Sequence, residues 1–347
     1  MQNGKNGGVN NIIPFKARVP KKRLTCIEIC SGAGGQALGL EMAGFDGLAH
    51  VELDAHACST LRLNRPNWHV IEGDVREFSA CEYEGVDLLA GGVPCPPFSK
   101  AGKQLGRNDE RDLFPEALRL VSECKPKAIM LENVRGFLDA VFTDYRLHLK
   151  KQLADLGYDA SWHLLNACDF GVPQLRPRVV VVAIRRDLSR FFYPPMPLTD
   201  GCMPKTVGES LCDLMSSNGW EGALAWASRA NEIAPTLVGG SKKHGGADLG
   251  PTRARAAWAS LGVNGKSLAE EAPHRGFKGM PRLTLRMTAR IQGFPDEWQF
   301  AGGKTAAYRQ VGNAFPPPVA MAVATKIFEA LSPTASKNKV TNRQMIG

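Results

Sequence analysis

Between residues 24 and 184, short apolar runs alternate with segments of helical texture, and each of the first five runs ends on a glycine, an acid or a cysteine. LTCIEIC (24–30) leads into the glycines of SGAGG, GLAHVE ends at Glu52, and HVIEGDV ends near Asp74. VDLLAGG runs into Pro94 and Cys95, and KAIMLENV carries Glu132 near its end. Strands alternating with helices imply an α/β fold with a mostly parallel sheet flanked by helices. In such sheets ligands bind beyond the carboxyl ends of the strands. Gly32, Gly34, Glu52, Asp74, Cys95 and Glu132 are therefore expected on one rim.

The intervening segments support this order. Leu38, Leu40, Met42 and Ala43 read as a helix stopped by Gly44, and Ala55 to Asn64 as another. In 111–124, Leu113, Phe114, Ala117, Leu118, Leu120 and Val121 recur at helical spacing, with Pro115 near the first turn. A helix is expected over about 144–156, then strands in YDASWHLLNA and VVVVAI. From about Arg185 the texture changes: 190–281 is rich in Gly, Pro and Ser, with little periodicity and a basic, glycine-rich stretch, TLVGGSKKHGGADLGPTRAR. Helical texture returns at RLTLRMTARIQGF and VAMAVATKIFEAL. The expected organisation is a main domain over 24–186 and 282–331, a small lobe over 187–281, and tails at 1–23 and 332–347.

The formal charge of +9 over 347 residues is confined to those tails. The first 23 residues hold six basic residues and no acid, the last 16 hold three basic residues and no acid, and 24–331 is neutral. Both tails read as disordered, solvated ends adding only non-specific, salt-sensitive attraction to a polyanion. No apolar run approaches the roughly 20 residues needed to span a bilayer, and MQNGKNGGVNN lacks a signal-peptide core. Nine cysteines without CxxC pairs or histidines at ligand spacing argue against a disulfide framework and a metal site, and for a reduced, cytoplasmic setting.

Two stretches carry chemistry. Strand, glycine turn, helix, strand and acid is the order of a nucleotide-cofactor unit, in which glycines let the backbone approach the ligand and the acid accepts from ribose hydroxyls. The turn departs from GxGxxG, so a nicotinamide dehydrogenase and a purely structural turn both stay open on this feature. In DLLAGGVPCPPFSK, Pro94, Pro96 and Pro97 fix the backbone on both sides of Cys95. That presents a nucleophile, although a lone cysteine is as a rule a small buried hydrophobe.

Pro94-Cys95, Glu132-Asn133-Val134, Gln174-Leu175-Arg176-Pro177-Arg178 and Gln310-Val311-Gly312-Asn313, in this order, make the chain resemble the DNA (cytosine-5) methyltransferases over roughly 24–186 and 282–330. The resemblance implies a Rossmann-like methyltransferase sheet with a smaller irregular target-recognition lobe. It implies methyl transfer from S-adenosyl-L-methionine to C5 of a cytosine flipped out of duplex DNA. Cys95 would add to C6 of the base. Glu132 would be the acid at N3, which calls for a raised pKa, and Arg178 with Arg176 would bind O2 and the adjoining backbone. Gly32, Ala33, Gly34 and Gly35 would surround the methionine part of the cofactor, Glu52 the ribose and Asp74 with Val75 the adenine, while Pro94, Leu113 and Asn313 would add wall contacts. The chain departs from the family at Cys30, where an aromatic residue is usual, and at Arg286-Met287, where Arg-Glu is usual.

By the same resemblance, DNA contacts are expected from Ser99 and the loop after it, from Gln174, from Thr236, Leu237 and Gly239, and from Lys242, Lys243, Arg253 and Arg255 in the lobe. Arginine suits bases because it bonds guanine O6 and N7 together. The related tRNA methyltransferases carry a Cys-Phe-Thr signature that 190–281 lacks, and an inert DNA-binding protein would not need Cys95, Glu132 and Arg178 intact. The expected protein is a monomeric modification enzyme acting on double-stranded DNA, paired with a restriction endonuclease that shares its site without binding it.

Overall fold

The computed structural model describes residues 22–94, 112–198, 204–240 and 246–332. Seven strands form one sheet: β1 (Leu24–Ile29), β2 (Phe45–Glu52), β3 (Val70–Glu72), β4 (Leu88–Gly91), β5 (Ala128–Val134), β6 (Tyr158–Asn166) and β7 (Pro177–Arg185). Their order is β3-β2-β1-β4-β5-β7-β6. The first five run parallel, and β7 is antiparallel to both neighbours. The α/β class and mostly parallel sheet expected from the alternation are both present. Strand order reverses at β1, so the crevice between β1 and β4 is where such a sheet holds a ligand.

Alternate residues of β1 serve opposite faces. Ile27 and Ile29 pack in one core with Leu120 and Val121 of α3 (Phe114–Cys124), while Leu24 and Cys26 pack in another with α1 (Gly35–Ala43) and α10 (Pro317–Leu331). Each such fully buried aliphatic or aromatic side chain contributes about 1.5–3 kcal/mol relative to exposure. Helices α1 and α10 cross closely because Gly39 has no side chain: a Cβ there would lie 2.4 Å from Ala320 Cβ. Pro115 sits in the first turn of α3, where its missing N–H costs nothing. Asp54 caps α2 (Ala55–Asn64) by accepting from the His56 and Ala57 N–H groups. The helix expected near 144–156 is α4 (Thr143–Asp155).

Among its described residues, the stretch read as irregular holds three α-helices, α5 (Val207–Ser216), α6 (Ala223–Arg229) and α7 (Thr252–Ser260). Thr206 and Glu209 close a capping box on α5. The core beneath them is built on Trp226 and Trp258, both buried, and continues into α8 (Leu285–Ile291), α9 (Lys304–Asn313) and Leu38 of α1. Met287 is buried in that core and offers its sulfur to the Thr284 N–H at 3.4 Å, the place a glutamate would take in a capping box. Sulfur is a weak acceptor, so the departure at 287 exchanges a cap bond for apolar packing. Among the described residues no helix is long and apolar enough to cross a membrane.

Candidate active site

Beyond the carboxyl ends of β1, β2, β4 and β5 lies a cleft of about 530 Å³. Its wall joins Gly32, Ala33 and Gly35 to Glu52 on one side and to Pro94, Glu132 and Asn313 on the other. The strand ends and α9 bring together residues as distant in the chain as Gly32 and Asn313, which no local pattern does.

Glu52, the last residue of β2, is fixed by its neighbours. Its Oε2 accepts from Gly32 N–H at 2.7 Å and its Oε1 from Asp54 N–H at 2.8 Å. Burial nevertheless raises its pKa, with those backbone donors pulling the other way. Cys30 stands at the cleft with φ of 52°, a left-handed conformation unusual for a residue with a side chain. Burial first, then the charges of Glu52 and Glu28, pushes its thiol up to about 12, so it is a neutral lining group. Gly34, with φ of 85°, is wedged against Leu61 and Trp298, and Trp298 Nε1 donates to Ala33 O at 3.1 Å. The glycine turn is thus clamped from outside the cleft.

On the other side, Glu132 and Arg178 meet because of sheet register. Glu132 pairs with Val180 and Val134 with Arg178, so the two side chains are diagonal neighbours on one face of an antiparallel ladder. Arg178 Nε reaches Glu132 Oε1 at 2.8 Å. Burial raises the pKa of Glu132, and Arg178 and then Arg176 oppose the rise. A side chain at Gly92 would bring its Cβ within 3.5 Å of Glu132 Oε2. Asn133 donates from Nδ2 to Val93 O at 2.9 Å, which ties the end of β5 to the segment entering Cys95.

A C-5 cytosine-specific DNA methylase model matches residues 24–329, nearly the whole chain. The chain belongs to that family. This methylase is 58% identical over 312 residues to the Type II methyltransferase M.NgoMIV of Neisseria gonorrhoeae, covering 89% of this chain and 98% of that one. It is also 58% identical over 315 residues to M.NaeI of Lentzea aerocolonigenes, covering 89% and 76%. Among solved structures the fold is shared with the S. pombe Dnmt2 methyltransferase, with a TM-score of 0.60, 19% identity and coverage of 90% and 99%. A prophage-encoded protein of E. coli gives a TM-score of 0.62 at 23% identity, covering 89% and 99%.

Several residues of the methylase lie elsewhere than expected. Arg176, expected beside the base, is fully buried: its Nη1 donates to Leu237 O at 2.7 Å and its Nη2 to Gly312 O at 2.7 Å and Ala314 O at 3.0 Å. Through Nη1 and Nη2 its guanidinium joins the residue before β7 to the lobe and to the end of α9. Gln174, expected on DNA, is also fully buried, accepting from Leu237 N–H at 2.9 Å and donating to Gln292 Oε1 at 2.7 Å. Leu237 is buried with them. Gly239 faces α9, where a Cβ would lie 2.5 Å from Arg309 O, and Asn313 Nδ2 donates to Gly240 O at 3.1 Å. Thr236, half-buried, gives its hydroxyl to Leu175 O. These segments are a strap docking the lobe on the main domain, since buried polar groups must be paired.

Asp74 and Val75 follow β3 on the same rim but do not line the cleft. Asp74 accepts from Arg76 N–H and Nη1, and those bonds, the backbone one first, hold its carboxyl below the usual range. Val75 is buried in the core behind β3, and Leu113 packs against that core. Arg253 is exposed and Arg255 half-buried, both on α7 and away from the cleft wall. Cys95, Ser99, Lys242 and Lys243 lie outside the described residues. Asn133, Trp298 and Gln36 are cleft-shaping residues that sequence reading passed over. Asn133 could have been found as the middle of ENV; Trp298 and Gln36 carry no local signal.

Proposed function

We propose that this C5 cytosine DNA methyltransferase uses S-adenosyl-L-methionine and a covalent adduct between Cys95 and cytosine C6. The observation that carries the reading is that one cleft unites the Glu52 and glycine-turn wall with Glu132, which Arg178 holds. The residues present fit the cofactor. Gly32 has open space where a side chain would stand, Glu52 is oriented by two backbone N–H groups, and Gln36 has unpaired amide atoms at the cleft. Gly32, Ala33, Gly35, Glu52 and Asn313 would hold it. When bound, it supplies an electrophilic methyl group.

The chain's own residues handle the base. The Cys95 thiolate forms a bond to C6, and electron density moves through the ring towards N3 and C5. Glu132, whose pKa burial raises, gives a proton to N3, so no anion has to build up there. Arg178 holds Glu132 and supplies a fixed positive fork for O2. After C5 has gained its methyl, a water removes the C5 proton, the S–C6 bond breaks and leaves the thiolate on Cys95, and N3 returns its proton to Glu132. The base must leave the duplex to reach this cleft.

The named relatives are Type II methyltransferases, which supports a modification role, opposite an endonuclease cutting the same sequence. The test is incubation of purified protein with methyl-labelled S-adenosylmethionine and duplex DNA, followed by sequencing for 5-methylcytosine. Label at 5-methylcytosine within one recurring sequence is expected. Label in tRNA but not in DNA refutes the reading.

A further inference from the structure

The residues on either side of the stretch that carries Cys95 are bonded to one another and to the core. Val93 O accepts from Asn133 Nδ2 at 2.9 Å, and Pro94 O accepts from Leu113 N–H at 3.3 Å. Leu113 stands immediately before α3, and its neighbour Asp112 fixes it there. Asp112 is only 8% exposed; its Oδ1 accepts from Phe114 N–H at 3.0 Å, and the Tyr145 hydroxyl lies 2.9 Å from Oδ1 and 2.7 Å from Oδ2.

A cap for Phe114 could equally be supplied by an exposed carboxylate, whereas a buried one is costly unless it is hydrogen-bonded. The Tyr145 hydroxyl offsets that cost and holds the carboxylate in one orientation. Its ring is fixed separately. It meets Phe114 edge-on with centroids 5.9 Å apart and Phe137 at 6.1 Å, while Phe114 and Phe137 stack at 5.1 Å. Arg146, next on α4, donates from Nη1 to Phe137 O at 2.7 Å and to Asp139 O at 2.9 Å. Helix α4 is therefore anchored to the segment after β5, and the Tyr145 hydroxyl is the fixed point against which the start of α3 is registered.

A line of contacts thus runs from Tyr145 through Asp112 and Leu113 to Pro94, the residue before Cys95. Neither Tyr145 nor Asp112 lines the cleft, so any effect on the reaction passes along that line. We propose that Tyr145 is a positioning residue for the Cys95 nucleophile, acting through Asp112. The assignment rests on the reading of Cys95 given above.

Tyr145→Phe keeps the ring and removes the hydroxyl. Single-turnover methylation of duplex DNA, measured well below the melting temperature of the variant, should slow about tenfold or more, as displaced reacting groups do. The KM for DNA and the affinity for S-adenosylhomocysteine should hold. A purely structural role would lower the melting temperature and leave the rate of the folded protein unchanged, and that result overturns the proposal. A double-mutant cycle tests the route: with Asp112→Ala in place, adding Tyr145→Phe should slow the reaction no further. A further loss as large as in the single variant overturns the route through Asp112. Tyr145→Phe alone decides the positioning role whether or not Asp112→Ala folds. Failure of the Cys95 reading shows instead in the wild type, as methylation of ordinary duplex with no adduct on duplex carrying 5-fluorocytosine.

Discussion

Arg178 Nε lies 2.8 Å from Glu132 Oε1, with the side chains 13% and 12% exposed, so a nearly buried ion pair stands at the wall of the cleft that Glu132 lines. Burial pushes the Glu132 carboxyl up while Arg178 pulls it down. A carboxyl in this balance can hold a proton for the base and still be aimed by its neighbour.

The first expected outcome concerns that balance. Glu132→Gln should lower kcat by about 10²–10⁴-fold, the range for loss of a positioned acid, with S-adenosylhomocysteine affinity unchanged. Residual activity of Arg178→Met should keep its alkaline limb at higher pH than wild type, because removing the guanidinium removes the influence that lowers the Glu132 pKa. A limb that moves to lower pH contradicts the assignment.

The same group predicts a sign for stability. The folded pKa of Glu132 is raised, so the folded state binds more protons than the unfolded one above the ordinary carboxylate range. Its contribution is whole below the unfolded pKa and is lost as pH rises through the folded pKa. Urea midpoints should fall less steeply with pH in Glu132→Gln across that window than in wild type.

Arg176 should behave as structure rather than chemistry. Arg176→Met strips the Leu237, Gly312 and Ala314 carbonyls of their donor. Leaving buried acceptors unpaired costs about 1–3 kcal/mol each, so a loss of roughly 3 kcal/mol or more in urea unfolding is expected. Unchanged stability with abolished turnover would return Arg176 to the base.

Asn133→Ala should release the segment entering Cys95 by removing the bond to Val93 O. Turnover should drop about tenfold or more, as small misplacements of reacting groups do, while cofactor-analogue affinity holds. Partial recovery in Asn133→Gln, which keeps the amide, distinguishes positioning from loss of fold.

Much of this was legible in the chain. The strand-end residues Gly32, Glu52 and Glu132 reached the cleft because parallel strands deliver their carboxyl ends to one rim, which alternation alone implies. The lobe was harder. Val207, Leu211 and Met215 do recur at helical spacing behind a Thr206-to-Glu209 capping box, but neighbouring glycines and serines hid them, and the large Trp226 and Trp258 come from separate helices. Gln174 and Leu237 read as DNA contacts, and Arg176 as a partner of the base O2, because a motif reports which residues matter, not which way they face. Only the docking of the lobe turns them inward. Gln36, with its unpaired amide, is visible only when β1, β2 and α1 are assembled.

The adduct is tested most directly with duplex DNA in which 5-fluorocytosine replaces the methylated cytosine. Fluorine cannot leave as a proton does, so after methyl transfer the S–C6 bond has no route to break. With S-adenosylmethionine present, the protein should accumulate covalently bound to DNA, mass spectrometry should place the bond on Cys95, and Cys95→Ser should form none. Methylation of ordinary duplex by a protein that traps no adduct, or traps one at a different residue, contradicts the account.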